Sequence, residues 1–77
     1  MKYMYAFVFP EQAEMLNEYR ITQQLDAPPL YNTEQQCLFD AREFLKWCGR
    51  DDLIEFIPEL IQSGELVVAQ FVVMPQC

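Results

Sequence analysis

Two apolar segments near the ends of the chain have the residue types of β-strands. The first, residues 2–9, is rich in aromatic and β-branched side chains and stops at Pro10, which cannot donate to a strand ladder. The second runs from Leu66 to Met74 and precedes Pro75. Side chains of a strand point alternately to its two faces, and in each segment both faces are apolar. We therefore expect each strand to be central in a sheet or covered on both sides.

The segment after the first strand has helical spacing. Pro10 suits the first turn of a helix, and three apolar residues fall on one side of that helix: Met15, Leu16 and Tyr19. Apolar and polar residues then alternate over residues 19–25, which also fits an edge strand, and we favour continued helix. The two prolines in residues 26–29 interrupt it, and a loop follows to about Asn32.

The clearest element is a helix from Thr33 to about Gly49. Thr33 and Gln36 form a capping-box pattern at its start. A helical apolar stripe predicts its buried face: Cys37, Leu38, Ala41, Phe44, Leu45 and Cys48. Phe39 lies away from this stripe, and Trp47 lies at its margin.

A further helix is predicted after the clearest one. Asp51 has the residue type of its N-cap, and Pro58 should kink the helix or divide it into two parts. The dipeptide Ser63-Gly64 ends it.

These elements predict one small α+β domain over residues 1–77, in which the terminal strands pair in one sheet and two to three helices pack on one face. One helical layer covers only one side of such a sheet. The other apolar face should therefore pack against a second copy, in a homodimer, or against another protein.

The charge is strongly acidic and unevenly placed. The net charge is -7, and 52% of the residues are apolar. Residues 1–50 hold seven acids and five bases, a net of -2, whereas residues 51–77 hold five acids and no base, a net of -5. This excess opposes binding to nucleic acid or to an anionic membrane, so we expect neither as a partner.

Few residues offer catalytic or ligand-binding chemistry. The chain has no histidine, and its only serine, Ser63, lies at a predicted helix end. The two glycines, Gly49 and Gly64, also lie at helix ends and form no phosphate-binding loop. Asp51 and Asp52 lack further oxygen ligands at the spacing a divalent cation requires. We expect no enzyme activity, no metal and no cofactor.

The three cysteines favour a reducing compartment. Cys37 and Cys48 lie eleven positions apart on one predicted helix, roughly 16 Å and beyond disulfide reach. The run from Leu66 to Met74 is about half the length that crosses a bilayer, and the N-terminus lacks the pattern of a secretion signal. We expect a cytoplasmic protein.

Phe39 allows two interpretations. Beside it, Arg42, Lys46 and Arg50 lie at successive helical turns, and an aromatic residue flanked by arginine and tryptophan is typical of interface hot spots. Alternatively, Phe39 packs against residues 19–31 of its own chain, and we favour this placement because small domains use every large apolar group they have.

Three functions fit the sequence. The first is a non-catalytic, acidic protein-binding modulator, such as a small inhibitor or adaptor; phages and mobile elements make inhibitors of this size and charge, which is a similarity of composition alone. The second is a nucleic-acid mimic that blocks a basic groove on another protein, and the third is a homodimeric assembly subunit. The residues predicted to bind a partner are Phe39, Trp47, Asp51, Asp52, Glu55 and Glu59.

Overall fold

Strands from the two ends of the chain form the sheet. A computed structural model describes residues 2–24 and 29–73, and in it β1 (Lys2–Val8) pairs antiparallel with β2 (Val67–Val73). The register runs from Lys2 opposite Val73 to Val8 opposite Val67. The predicted α+β fold with paired terminal strands is confirmed. Met74, at the end of the predicted second strand, lies outside the described residues.

Three α-helices connect the strands. A 3-10 turn at Pro10–Gln12 leads into α1 (Ala13–Thr22), so helix rather than edge strand is the conformation from Tyr19 as far as Thr22. Gln23 and Gln24 form a turn, and residues 25–28, which hold the end of the ambiguous segment and the start of the predicted loop, lie outside the described residues. The second helix, α2, spans Glu34–Trp47, and the Thr33 hydroxyl accepts a hydrogen bond from the Gln36 amide, as the capping pattern predicted.

The segment that follows α2 is divided in two next to Pro58, which is one of the two outcomes that the sequence predicted. A 3-10 helix spans Asp51–Phe56, and α3 spans Ile57–Ser63. Asp51 is the first residue of the 3-10 helix and makes no capping hydrogen bond, so its predicted N-cap role is wrong. Pro58 is the reason for the division, because its ring would clash with an α-helical carbonyl four residues earlier but suits a first turn. Gly64 ends α3 with φ +85°, a conformation that favours glycine.

The predicted stripe of α2 forms the centre of the core. Four of its residues are buried, and Leu38 and Cys48 are partly buried against them. Phe44 contacts Phe9 and Tyr19 with ring centroids 5.1 and 5.5 Å apart. The remaining buried apolar residues come from every other element or its flanks: Phe7, Leu16, Ile57, Leu60 and Leu66.

The sheet buries only one of its two faces. Phe7 packs in the core, and Tyr5 and Val68 pack beside it. None of the residues on the opposite face, here called the open face, is buried: Lys2, Met4, Ala6, Val8, Val67, Ala69, Phe71 and Val73. We expected both strands to be central in a sheet or covered on both sides. Within the described chain this expectation is wrong: the sheet has only two strands, so neither is central, and the open face is not covered. None of the helices in the described ranges is long and apolar enough to cross a membrane.

Leu45→Ala tests the core assignment of α2. Leu45 is buried in the central cluster, so its truncation should lower the free energy of unfolding by about 2–5 kcal/mol. Phe39→Ala on the same helix is the control, since Phe39 is 60% exposed and a change there should stay within about 0.5 kcal/mol. Urea unfolding followed by circular dichroism measures both, and equal losses would contradict the assignment.

Candidate docking groove and buried ion pair

An apolar groove opens on the side of the core where α1, α2 and α3 approach one another. Its volume is about 410 Å³. Buried core side chains form its floor: Phe9, Phe44, Leu45 and Leu60. More exposed or partly buried residues surround that floor: Gln12, Met15, Cys48, Arg50, Leu53 and Glu65. We call this feature the docking groove.

Local chain geometry explains how these residues meet. Pro10 starts a turn immediately after β1, which brings Gln12 and Met15 to the side of the groove. Met15 is consequently exposed, whereas the sequence grouped it with the buried Leu16 and Tyr19. The segment from Arg50 to Glu65 closes the other side, which we call the acidic wall.

The acidic wall has one neutralised carboxylate and several free ones. The Arg50 guanidinium donates to Asp52 at 3.2 and 3.3 Å, and these hydrogen bonds lower the pKa of Asp52. The other predicted acidic site residues, Asp51, Glu55 and Glu59, are exposed, and no ion pair involves them in the described ranges. Glu65 accepts a hydrogen bond from the Ser63 hydroxyl. Arg50 and Glu65 are the charged residues that line the groove, so the free carboxylates of the acidic wall lie on the surface beside the groove.

The two predicted aromatic site residues lie outside the groove. Phe39 is 60% exposed, so the described parts of segment 19–31, residues 19–24 and 29–31, do not bury it, contrary to the intramolecular placement. Trp47 is 43% exposed and packs over Tyr19, with ring centroids 5.6 Å apart. Lys46, from the predicted basic row, pairs with Glu43 at 3.5 Å. The structure does not gather the predicted site residues into one constellation.

A buried ion pair that the sequence did not predict joins α1 to α2. Arg20 Nη1 lies 2.7 Å from Asp40 Oδ2, and the two side chains are only 7% and 17% exposed. The Tyr19 hydroxyl donates to Asp40 Oδ1 at 3.0 Å, and the Tyr31 hydroxyl donates to Oδ2. One signal was visible in the sequence: Asp40 follows Cys37 by three positions and precedes Phe44 by four, so it falls on the edge of the apolar stripe.

The surroundings of the ion pair hold Asp40 charged. Burial alone would raise the pKa of Asp40, but hydrogen bonds from Tyr31, Arg20 and Tyr19 outweigh it and lower the pKa. Burial and the negative charge of Asp40 raise the pKa of Tyr19 to about 12, and burial together with the bond to Asp40 raises the pKa of Tyr31 as well. Both phenols therefore remain neutral donors at physiological pH.

The Arg20 guanidinium also packs on an aromatic ring. Its central carbon lies 4.8 Å from the centroid of Phe7, a distance at which a cation is attracted to the ring face. Nε of Arg20 is the one buried side-chain nitrogen or oxygen without a hydrogen-bond partner in the described part of the chain. Each oxygen of Asp40, by contrast, accepts at least one hydrogen bond, so the network is structural in character.

The buried thiol of α2 is not activated. Burial raises the pKa of the Cys37 thiol to about 11, which leaves it protonated. No group of three or more cysteine, histidine or acidic residues in residues 2–24 and 29–73 could hold a metal ion. Comparisons with protein-family models, with curated proteins and with solved structures found no match.

Asp40→Asn should destabilise the fold strongly. The substitution keeps the shape of the side chain but leaves the Arg20 charge buried without a counter-ion, which costs about 3–5 kcal/mol in comparable buried pairs. Thermal and urea unfolding measure the loss. Asp52→Asn removes an exposed ion pair instead and should leave the unfolding midpoint near that of the wild type. Similar midpoints for the two variants would contradict the importance of the buried pair.

The same carboxylate predicts a loss of stability in acid. The folded-state pKa of Asp40 lies below its unfolded value, so its contribution is fully present above about pH 4 and disappears as the pH falls through the folded pKa. The difference in unfolding free energy between wild type and Asp40→Asn should therefore shrink as the pH falls from about 4 towards 2. Urea titrations at several acidic pH values measure it, and a constant difference would show that Asp40 is not held charged by folding.

Proposed function

We propose that this protein is a non-catalytic, acidic protein-binding modulator that captures an apolar segment of a partner protein in the docking groove. One observation carries the proposal: an open apolar groove of about 410 Å³ is bordered by a segment that holds five acids after Arg50 and no further base. The complementary partner segment presents one or two large apolar side chains with lysine or arginine beside them.

The apolar side of the groove accounts for affinity. Phe9, Phe44 and Leu60 are almost fully buried and give the groove its shape, whereas Met15 is 41% exposed and supplies apolar surface for a partner to cover. Covering such surface drives association. The volume is within the range of protein sites that enclose small ligands or single side chains. Because the floor consists of core residues, it is formed before a partner arrives and needs little ordering on binding.

The acidic wall accounts for selectivity and speed. Asp51, Glu55 and Glu59 are exposed on the segment that borders the floor. An apolar centre with a charged margin is the usual arrangement of a protein interface. The single-signed charge of residues 51–65 also attracts oppositely charged partners over about one Debye length and raises their association rate.

The same wall fits a nucleic-acid mimic less well. A mimic needs a row of unpaired carboxylates in place of phosphates, whereas Asp52 is paired with Arg50. Phe56 and Ile61 are exposed on the same segment and interrupt the charges with apolar surface. An apolar contact beside an acidic surface matches this mixture more closely than a charge-only contact does.

The proposed setting is the cytoplasm. Cys37 and Cys48 are free thiols, as is usual in a reducing compartment. No catalytic group or cofactor is needed for capture of a partner segment.

Matched glutamate substitutions test the groove. Met15→Glu places a charge beside the apolar floor, while Ile21→Glu makes the same change on the same helix at an exposed position outside the groove. Affinity capture from lysate of the producing cell, with quantitative mass spectrometry, should recover a partner with wild type and Ile21→Glu but lose it with Met15→Glu. Equal recovery with both variants would exclude the groove as the binding site.

Charge-reversal variants distinguish electrostatic attraction of the partner by the acidic wall from apolar binding in the groove. The double variant Glu55→Lys, Glu59→Lys should slow association of the recovered partner at low salt and approach the wild-type rate at high salt. Glu14→Lys, Glu18→Lys reverses an equally spaced exposed pair on α1 and is the control. If the wild-type complex dissociates steeply with salt while Met15→Glu binds normally, the nucleic-acid mimic is the correct function.

A further inference from the structure

The outer edge of β2 carries backbone groups that point away from β1. On β1, Tyr5 exchanges both of its backbone hydrogen bonds with Tyr31, each at 2.8 Å. Tyr5 stands opposite Gln70. Because the backbone groups of Tyr5 bond to Tyr31, Tyr5 and Gln70 form a non-hydrogen-bonded pair of the antiparallel ladder. The N–H and C=O of Gln70 therefore point to the outer edge, and strand alternation directs those of Val68 and Val72 the same way.

The described chain leaves this edge uncovered. The Leu66 amide donates to Leu60 at 3.1 Å, so α3 covers the point where the strand begins, but no such bond involves Val68, Gln70 or Val72 within the described ranges. Val67–Val73 contains no charged residue, proline or glycine. Proteins normally block a free edge with such residues, because an unblocked edge pairs with another strand.

We propose that β2 pairs antiparallel with β2 of a second copy of this chain, about a two-fold axis at Gln70, to form a continuous four-stranded sheet. The surface is separate from the docking groove, so the inference goes beyond the proposed function. At the axis, Gln70 faces Gln70 of the second copy, and the two residues exchange their outward backbone hydrogen bonds.

The strand is complementary to itself in this register. Phe71, which is 47% exposed, stands opposite the small Ala69 of the second copy, and the same large-to-small contact recurs across the axis. Val67 stands opposite Val73, and Val68 opposite Val72, so the remaining pairs are between β-branched residues, which pack well across strands.

Charge favours the antiparallel arrangement at both ends of the new sheet. Lys2 lies beside Val73 in β1, at one end of the sheet, and Glu65 precedes β2 at the other end. Antiparallel pairing brings Lys2 of each copy to the same end as Glu65 of the other. The net charge of -7 on each copy opposes association over longer distances, so added salt should strengthen the dimer.

Opposite charges at the axis test this dimer by analytical ultracentrifugation. Gln70 is exposed, so Gln70→Lys and Gln70→Glu leave the core intact but place like charges against each other in a homodimer. Wild type should sediment as a dimer at micromolar concentration, each variant should dissociate several-fold more readily, and an equimolar mixture of the two should recover the dimer. Gln62→Lys and Gln62→Glu make the same changes on exposed α3 and should dimerise as wild type does.

Amide hydrogen exchange gives a readout that needs no variant. The outward amides of Val68, Gln70 and Val72 should become protected as wild-type concentration rises, whereas the inward amides of Ala69 and Phe71 should be protected at every concentration. A wild-type monomer throughout the micromolar range, or wild-type dimerisation by both Gln70 variants, would overturn the proposal. Added salt should strengthen this dimer but slow the association of a partner with the docking groove. The two proposals can therefore be tested and contradicted independently of each other.

Discussion

The buried Arg20–Asp40 pair is the interaction on which the arrangement of the other elements depends. It joins α1 to α2 at 2.7 Å, in a position where neither charge is well hydrated. A charge in such a place is tolerated only with a counter-ion and further hydrogen bonds. Tyr19 and Tyr31 supply those bonds to Asp40, and Phe7 supplies an aromatic face to Arg20. The pair therefore fixes two helices and one strand relative to each other.

Tyr31 extends this constraint to the sheet. Its hydroxyl bonds Asp40, its ring stacks on Phe7, and its backbone exchanges hydrogen bonds with Tyr5 on the outer edge of β1. Tyr31 therefore covers the middle of the outer edge of β1, and the hydrogen bond to Asp40 fixes Tyr31 in that place. The outer edge of β2 has no equivalent cover in the described chain, so the two edges of this two-stranded sheet differ in their capacity to bind another strand.

Local patterns predicted the elements that depend on neighbouring residues. The stripe of α2, its Thr33 cap and both terminal strands follow from spacing and residue type. The burial of Arg20 did not follow, because it depends on Asp40, twenty positions away, and an isolated arginine is normally solvated. The docking groove was missed for a similar reason: Phe9, Leu45 and Leu60 come from distant segments and meet only in the folded chain.

Acidity and apolar exposure are linked in this protein. A chain of 77 residues with 52% apolar content has more apolar surface than one small core encloses, and large side chains such as Phe39, Phe56 and Phe71 remain exposed. Exposed apolar surface promotes indiscriminate association, which a large net charge opposes by repulsion between copies. The charge is absent from β2 and concentrated in residues 51–65. Repulsion between copies can therefore be overcome along an uncharged strand edge that forms backbone hydrogen bonds, whereas an unspecific apolar contact gains no such bonds.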